Sequence, residues 1–102
     1  MRRLPKNRRP THPGEVFLID FLLPLGITQK EAAERLRISY PRMNEIINGK
    51  RAVTPDTALR LGKFTGTEAE FWLNLQQALD LWEAMHSDGA TEVDEIEPAV
   101  AS

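Results

Sequence analysis

The sequence predicts an all-α fold, a compact five-helix domain, and three observations lead to this prediction. Five stretches carry apolar residues three and four positions apart, and each begins with a helix-capping signal. No stretch shows the sustained alternation of apolar and polar residues that a half-buried strand requires. The 102 residues leave room for one hydrophobic core, and the lack of cysteine leaves packing as its source of stability.

The first helix is expected to begin at Thr11 or His12, either of which can cap it. It is expected to run to about Leu23, because Pro24 and Gly26 then end it. Three residues make this helix more apolar than one buried face requires; they are Leu18, Ile19 and Leu22. They mark either a surface for a partner or a short helix that is well buried.

The second and third helices are short and follow each other across a tight turn at residues 37–39. Thr28 begins the second helix as the first residue of a Thr-x-x-Glu capping box, and Ser39 begins the third. Gly49 closes the third helix. The inward positions of the third helix, at the spacing i, i+3 and i+4, are Met43, Ile46 and Ile47.

The fourth and fifth helices complete the predicted domain. Thr54 caps the fourth helix, with Pro55 in the first helical position, and Gly66 ends it. A second Thr-x-x-Glu run, from Thr67, starts the fifth helix. This helix continues to about His86 and is the long C-terminal helix of the domain.

The fifth helix carries two neighbouring apolar stripes, which is more than packing on one small core requires. We therefore expect a two-fold dimer interface formed by Phe71, Ala78, Leu81, Trp82 and Met85. The alternative is a monomer in which this helix packs on its own domain with a broad face.

Basic and acidic residues are divided between two parts of the chain. Residues 1–63 contain all thirteen Lys and Arg against six acidic residues, a net charge of +7. Residues 64–102 contain nine acidic residues and no basic one. This division indicates a basic face for a polyanion and an acidic end in solvent or on another partner. The alternative is that solvated helix faces happen to segregate by charge.

The second and third helices have the spacing of a DNA-binding helix-turn-helix, whose second helix enters the major groove. The residues expected to read bases are Ser39, Tyr40, Arg42, Asn44 and Glu45. The residues expected to contact phosphates are Thr28, Gln29, Asn48, Lys50 and Arg51. Two alternatives stay open: Glu45 pairs with Arg42 at i, i+3, and Asn48 only caps the end of the helix.

The run from Thr28 to Arg51 resembles the repressor-type helix-turn-helix of the phage-repressor and xenobiotic-response-element families. Six blocks resemble the HigA branch of antitoxins more narrowly; they are His12-Pro13-Gly14-Glu15, Pro24-Leu25-Gly26, Arg42-Met43-Asn44-Glu45-Ile46, Asp56-Thr57-Ala58-Leu59-Arg60-Leu61, Phe71-Trp72-Leu73-Asn74-Leu75-Gln76 and Asp80-Leu81-Trp82. The resemblance covers about residues 10–86. It implies a dimer that represses its own operon and neutralises a ribosome-dependent mRNA-cleaving toxin of the HigB type.

Catalysis is not expected of this chain. His12 and His86 stand at opposite ends of the predicted domain, and the sequence has neither cysteine nor a phosphate-cradling glycine-rich loop. We therefore expect no cofactor, no metal and no small-molecule substrate. Two other functions remain possible: a stand-alone repressor without a toxin, and a protein-interaction module that does not bind DNA.

Three segments are expected along the chain. Residues 1–10 form a flexible basic arm, residues 11–86 the helix-turn-helix domain with its dimerisation helix, and residues 87–102 an acidic disordered tail. The longest apolar run, residues 16–25, is shorter than the ~20 residues that span a bilayer, and we expect no signal peptide before it. We expect a cytoplasmic protein whose partners are double-stranded operator DNA, a second copy of the chain and a HigB-like toxin.

Overall fold

A computed structural model gives the structure of residues 8–100. The helices are, in chain order, α1 (Pro13–Phe17), a π-helical segment (Leu18–Leu22), α2 (Leu23–Leu25), α3 (Gln29–Leu36), α4 (Tyr40–Ile47), α5 (Pro55–Thr65), α6 (Ala69–Met85) and α7 (Ala90–Asp94). No strand is present in residues 8–100, so the predicted all-α fold is confirmed. Most of the expected basic arm, residues 1–7, lies outside the described residues.

The first predicted helix is longer than expected and changes its winding. α1, the π-helical segment and α2 form one helical run over residues 13–25. The Leu23 N–H donates to the carbonyl oxygen of Leu18, five residues earlier. In an α-helix this N–H would donate to the carbonyl oxygen four residues earlier. The wider turn makes room for the ring of Pro24, which has no N–H to donate and would press on the preceding turn of an α-helix. Pro24 therefore lies inside the helix, and Gly26, with φ +67°, ends it.

Three helices begin at the caps that the sequence predicts. The hydroxyl oxygens of Thr28, Ser39 and Thr54 each accept from the backbone N–H three residues later, at 3.1, 3.2 and 3.4 Å. Each bond satisfies a helix-end donor that has no partner within the helix. The predicted starts of α3, α4 and α5 are confirmed.

The predicted cap of α6 is wrong. Glu68 occupies the cap position and makes no side-chain capping bond. The Thr67 hydroxyl instead accepts from the indole N–H of Trp72 at 2.9 Å and lies 2.8 Å from the hydroxyl of Thr65. Because Trp72 is fully buried, its N–H needs an acceptor inside the protein, and Thr67 supplies it.

The core lies where the first helical run, α3, α4, α5 and α6 meet. Its largest fully buried side chains include Trp72, Phe17, Leu22, Met43, Ile46 and Leu61. The Phe17 ring meets Phe64 and Trp72 edge to face, with centroid distances of 5.8 and 5.9 Å. Burying each side chain of this size contributes about 1.5–3 kcal/mol to folding. The three predicted inward positions of α4 are all buried.

Gly14 brings α1 into direct contact with the backbone of α4. A Cβ atom at position 14 would overlap the carbonyl oxygen of Ile46 and lie 2.5 Å from its carbonyl carbon. Two helices that approach backbone to backbone need a residue without a side chain at the crossing point. Gly14 therefore fixes where α4 sits on the rest of the domain.

The acidic segment after α6 contains a short helix that the sequence analysis does not predict. α7 spans Ala90–Asp94, and the Val93 N–H donates to the Gly89 carbonyl oxygen at 3.2 Å. None of its residues is buried, and Val93 and the following Ile96 are largely exposed. The helix therefore rests on local hydrogen bonds. The boundaries 11–86 and 87–102 remain predictions.

Candidate nucleic-acid interface

α3 and α4 pack against each other across the turn at residues 37–39 and correspond to the second and third predicted helices. Arg37 in this turn has φ +59°, a left-handed conformation that reverses the chain within three residues. α4 buries Met43, Ile46 and Ile47 and presents its first residue, Tyr40, half-exposed. This is the geometry of a helix-turn-helix, in which the start of the second helix is accessible to a ligand.

Three side-chain amides link α3 to the outer face of α4. The amide nitrogen of Asn44 donates to the side-chain oxygen of Gln29 at 3.1 Å. The amide nitrogen of Asn48 donates to Asn44 twice, to its backbone oxygen at 2.9 Å and to its side-chain oxygen at 3.2 Å. Asn48 therefore helps cap the end of α4, as one alternative held. The structure brings together one expected base-reading residue and two expected phosphate contacts.

Glu45 pairs with the loop that follows α4. Its carboxylate oxygen accepts from Arg51 Nε at 3.0 Å and from Arg51 Nη2 at 2.7 Å. The alternative that Glu45 pairs with Arg42 is wrong, because the Arg42 side chain extends towards α5. Both members of the observed pair are about half-exposed, and the neighbouring Lys50 is exposed. The loop therefore presents cations next to the outer face of α4.

The side chain of Arg42, an expected base-reading residue, extends from α4 towards the start of α5. Its Nη2 donates to Asp56 Oδ2 at 3.2 Å and to the Thr57 hydroxyl at 2.6 Å, both at the start of α5. The side chain is 29 % exposed. A carboxylate and a hydroxyl fourteen and fifteen residues later in the chain thus hold the guanidinium of Arg42, and its expected contact with a base stays a prediction.

Two of the expected DNA contacts are helix caps. The Thr28 and Ser39 hydroxyls accept the capping bonds of α3 and α4, so their oxygens are engaged within the chain. Both residues are exposed at the N-termini of their helices, where free backbone N–H groups and the helix dipole favour an anion. Their contribution at this surface is to order those N–H groups.

The residues that hold Arg42 were not predicted from the sequence. Asp56 Oδ2 accepts from Arg60 Nε at 3.0 Å as well as from Arg42, and these two bonds lower the pKa of the Asp56 carboxyl. Asp56 and Arg60 stand four residues apart on α5, a spacing typical of helical ion pairs and readable from the sequence. The bond to Arg42 depends on how α4 packs against α5 and has no local signal.

His12 anchors the loop after α4 from the other side. Its Nδ1 accepts from the Gly14 N–H at 2.9 Å, which makes it the cap of α1. Its ring faces Gly49, where a Cβ atom would lie 3.7 Å from it. Burial lowers the pKa of His12, and a backbone hydrogen bond with Arg51 opposes this shift. The lowered pKa favours the neutral imidazole, whose Nδ1 can accept the Gly14 N–H.

Gln76 ties the same loop to α6. It is buried, its side-chain oxygen accepts from the Val53 N–H at 2.8 Å, and its amide nitrogen donates to Asp80 at 2.8 Å. The backbone that leads from the loop into α5 is thus fixed by a side chain of the long helix. Neither His12 nor Gln76 was predicted to support this loop.

α6 has an exposed apolar face where the dimer interface is predicted. Phe71, Leu81 and Met85 are 42 %, 60 % and 64 % exposed, and Ala78 and Trp82 are half-buried. A second exposed apolar group lies on the first helical run and consists of Ile19, Leu23 and Leu25. Of the residues that make the first predicted helix unusually apolar, Leu22 is a core residue and Ile19 belongs to this exposed group.

Two further properties concern residues 8–100 as a whole. None of the helices there combines the length and apolar character needed to cross a bilayer. The same residues contain no group of three or more His, Cys, Asp or Glu side chains arranged to hold a metal ion.

The fold and this surface define a helix-turn-helix DNA-binding protein. A family model described as helix-turn-helix matches residues 18–72. The chain belongs to the helix-turn-helix family and, within it, to the HigA-type antitoxins. As in these relatives, its function is that of a DNA-binding regulator and not that of an enzyme.

Three relatives support this assignment. Virulence-associated protein I of Dichelobacter nodosus is 44 % identical over 77 residues, which are 74 % of this chain and 71 % of that protein. Antitoxin HigA-1 of Vibrio cholerae is 41 % identical over 77 residues, 76 % of this chain and 72 % of that protein. The structure of the Pseudomonas aeruginosa antitoxin HigA with the higBA promoter is similar with a TM-score of 0.84 and 38 % identity, covering 90 % of this chain and all of that chain.

Proposed function

We propose that this protein is a homodimeric, sequence-specific repressor that acts in the cytoplasm as the antitoxin of a toxin-antitoxin module. It represses its own operon and neutralises a HigB-like, mRNA-cleaving toxin. The observation that carries the proposal is the polar surface formed by α4 and the loop that follows it. A structurally similar protein, the Pseudomonas aeruginosa antitoxin HigA, was solved with promoter DNA. That surface lies in the part of the chain with a net charge of +7.

The reading residues are proposed on the exposed side of α4. Asn44 suits adenine, whose major-groove edge offers one donor and one acceptor, and Tyr40 suits a thymine methyl group or a phosphate. Glu45 suits a cytosine amine if it leaves Arg51. Arg42 suits guanine through the N–H groups that Asp56 and Thr57 do not use.

The phosphate contacts are proposed on both sides of α4. Thr28 caps the N-terminus of α3, where Gln29 is the first helical residue, and Asn48, Lys50 and Arg51 lie at the end of α4 and in the loop beyond it. These contacts set the register of the protein on the duplex and carry no sequence information themselves.

The dimer is proposed to form through the exposed face of α6. Aromatic and Met side chains such as Phe71 and Met85 are enriched in the cores of protein interfaces. A two-fold dimer places two α4 helices about one DNA turn, ~34 Å, apart on a palindromic operator. Occupation of such an operator by the dimer would exclude RNA polymerase.

Fluorescence anisotropy on the protein's own promoter, against a scrambled duplex at two salt concentrations, tests the repressor. We expect a preference of about 10³-fold or more and a steep dependence on salt. Equal affinity for both duplexes would mean that the helix-turn-helix is only a scaffold for protein interactions.

Co-expression with the product of the adjacent gene tests the antitoxin role. If that product is toxic and this protein relieves its toxicity, the proposal is supported. If no such gene is present, the protein is a stand-alone repressor.

A further inference from the structure

Three charged side chains join α4 to α5 beside the proposed reading surface. Asp56 Oδ2 accepts from Arg42 Nη2 at 3.2 Å and from Arg60 Nε at 3.0 Å. Two cations share one carboxylate, so the group keeps a net charge of +1 and remains attractive to DNA. Asp56 itself is more than half-exposed, and hydrogen bonds from both arginines hold its carboxylate in place.

Arg60 extends this group to the turn of the helix-turn-helix. Its Nη1 donates to the carbonyl oxygens of Leu36 and Arg37, at 2.9 and 3.2 Å. Carbonyl groups at the end of a helix lack partners within that helix, and Arg37 has the left-handed backbone of the turn. One guanidinium therefore holds both the end of α3 and the carboxylate that binds Arg42.

Arg42 is fixed through one of its nitrogens. Both of its bonds, to Asp56 and to Thr57, come from Nη2. No described residue accepts from its Nε or Nη1. A guanidinium held in this way has lost most of its rotamer freedom before any ligand arrives, and it keeps donors for an external acceptor.

We infer that Asp56 and Arg60 are positioning residues for sequence recognition, which hold Arg42 ready to donate to a guanine. The inference rests on the proposed function, because it assigns Arg42 a base at the operator. Binding usually costs conformational entropy when a long side chain becomes ordered. Arg42 is already ordered, so it avoids this cost, but it gains hydrogen bonds only at a DNA site with a guanine in the matching position. The discrimination between operator and other DNA therefore depends on Asp56 and Arg60, although neither touches a base.

The test compares Asp56→Asn and Arg60→Lys with the wild-type protein, and it measures the ratio of the dissociation constants for scrambled and operator DNA. The operator is first selected by the wild-type protein from a random duplex pool. Each variant is expected to lower the ratio about tenfold, the size of one good base contact. Loss of the Asp56 charge alone would strengthen binding to both duplexes alike and leave the ratio unchanged. Lys cannot reproduce the fork that joins a carboxylate to two carbonyls.

A double-mutant cycle separates positioning from general structure. In an Arg42→Ala background, Asp56→Asn is expected to have no further effect on the ratio, because its role passes through Arg42. Glu31→Gln is the matched control, since Glu31 forms an exposed pair with Arg35 on α3 at 3.5 Å. The control is expected to keep the wild-type ratio.

The outcomes separate the two claims. If the wild-type protein discriminates and both variants keep its ratio, the inference is overturned and the repressor stands. An additional loss in the Arg42→Ala background also overturns it, since Asp56 would then act elsewhere. If the wild-type protein selects no sequence from the pool, the proposed function fails, and the inference fails with it.

Discussion

The outer surface of α4 and the exposed face of α6 differ in how much of their geometry the chain itself determines. On α4, Asn44, Glu45 and Arg42 all bond to other elements of the domain. On α6, the side chains of Phe71 and Leu81 are exposed to solvent. A ligand for the first surface meets side chains that are already ordered, whereas a partner for the second gains free energy mainly by covering apolar area. Recognition and assembly thus rest on different physical terms, and separate substitutions should act on each of them.

The largest expected effect is a loss of stability when the close contact between α1 and α4 at Gly14 is disrupted. Gly14→Ala should lower the free energy of unfolding by about 3 kcal/mol or more, because backbone atoms of Ile46 occupy the space that the methyl group needs. Urea denaturation followed by circular dichroism measures the change. Gly89→Ala is the matched control, since the nearest atom to its Cβ is a flexible serine hydroxyl at 3.8 Å. Similar unfolding midpoints for the two variants would contradict the close approach of α1 and α4.

The next effect concerns the α6 face alone. Leu81→Lys should weaken the dimer by about 2 kcal/mol, roughly thirtyfold, because it places a charge in the centre of an apolar interface. Sedimentation equilibrium measures the dissociation constant. At protein concentrations below that constant, the melting temperature of the monomer should change little because Leu81 is 60 % exposed. Leu59→Lys provides the control on α5, where the side chain is 65 % exposed. A dimer that weakens equally with both substitutions, or a wild-type monomer, would remove α6 as the interface.

A smaller effect is expected from a phosphate contact beside α4. Lys50→Ala should reduce affinity for operator and scrambled DNA alike, and it should lower the slope of log K against log salt by about one. Lys63→Ala, an exposed lysine of α5 outside the proposed contacts, should leave the slope unchanged. Anisotropy titrations at four salt concentrations give both slopes. A change confined to the operator would reassign Lys50 to a base.

The local features of the fold are predictable from sequence, and the long-range ones are not. The Thr28, Ser39 and Thr54 caps follow from residues within one turn, so the starts of α3 to α5 are correct. The Thr67 cap fails because a buried indole from the following turn competes for the same hydroxyl.

The direction of Arg42 shows the same limit in the candidate site. Amphipathic spacing places it on the outside of α4, but the partners that decide its conformation lie on α5. The sequence therefore predicts which residues lie on the surface better than it predicts which of their side chains are fixed by bonds to other helices.

The smallest expected effect is a pH dependence of stability from His12, which supports the loop after α4. Burial lowers the pKa of His12 from its ordinary 6.5, so the folded protein binds a proton there less readily than the unfolded chain. Its contribution is complete above pH 6.5 and is lost as the pH falls through the folded-state value. His12→Asn keeps a capping oxygen for the Gly14 N–H and cannot titrate. Melting temperatures at pH 7.5 and 5.5 should therefore fall more steeply for the wild-type protein than for this variant; parallel slopes would mean that His12 is not held neutral by its burial.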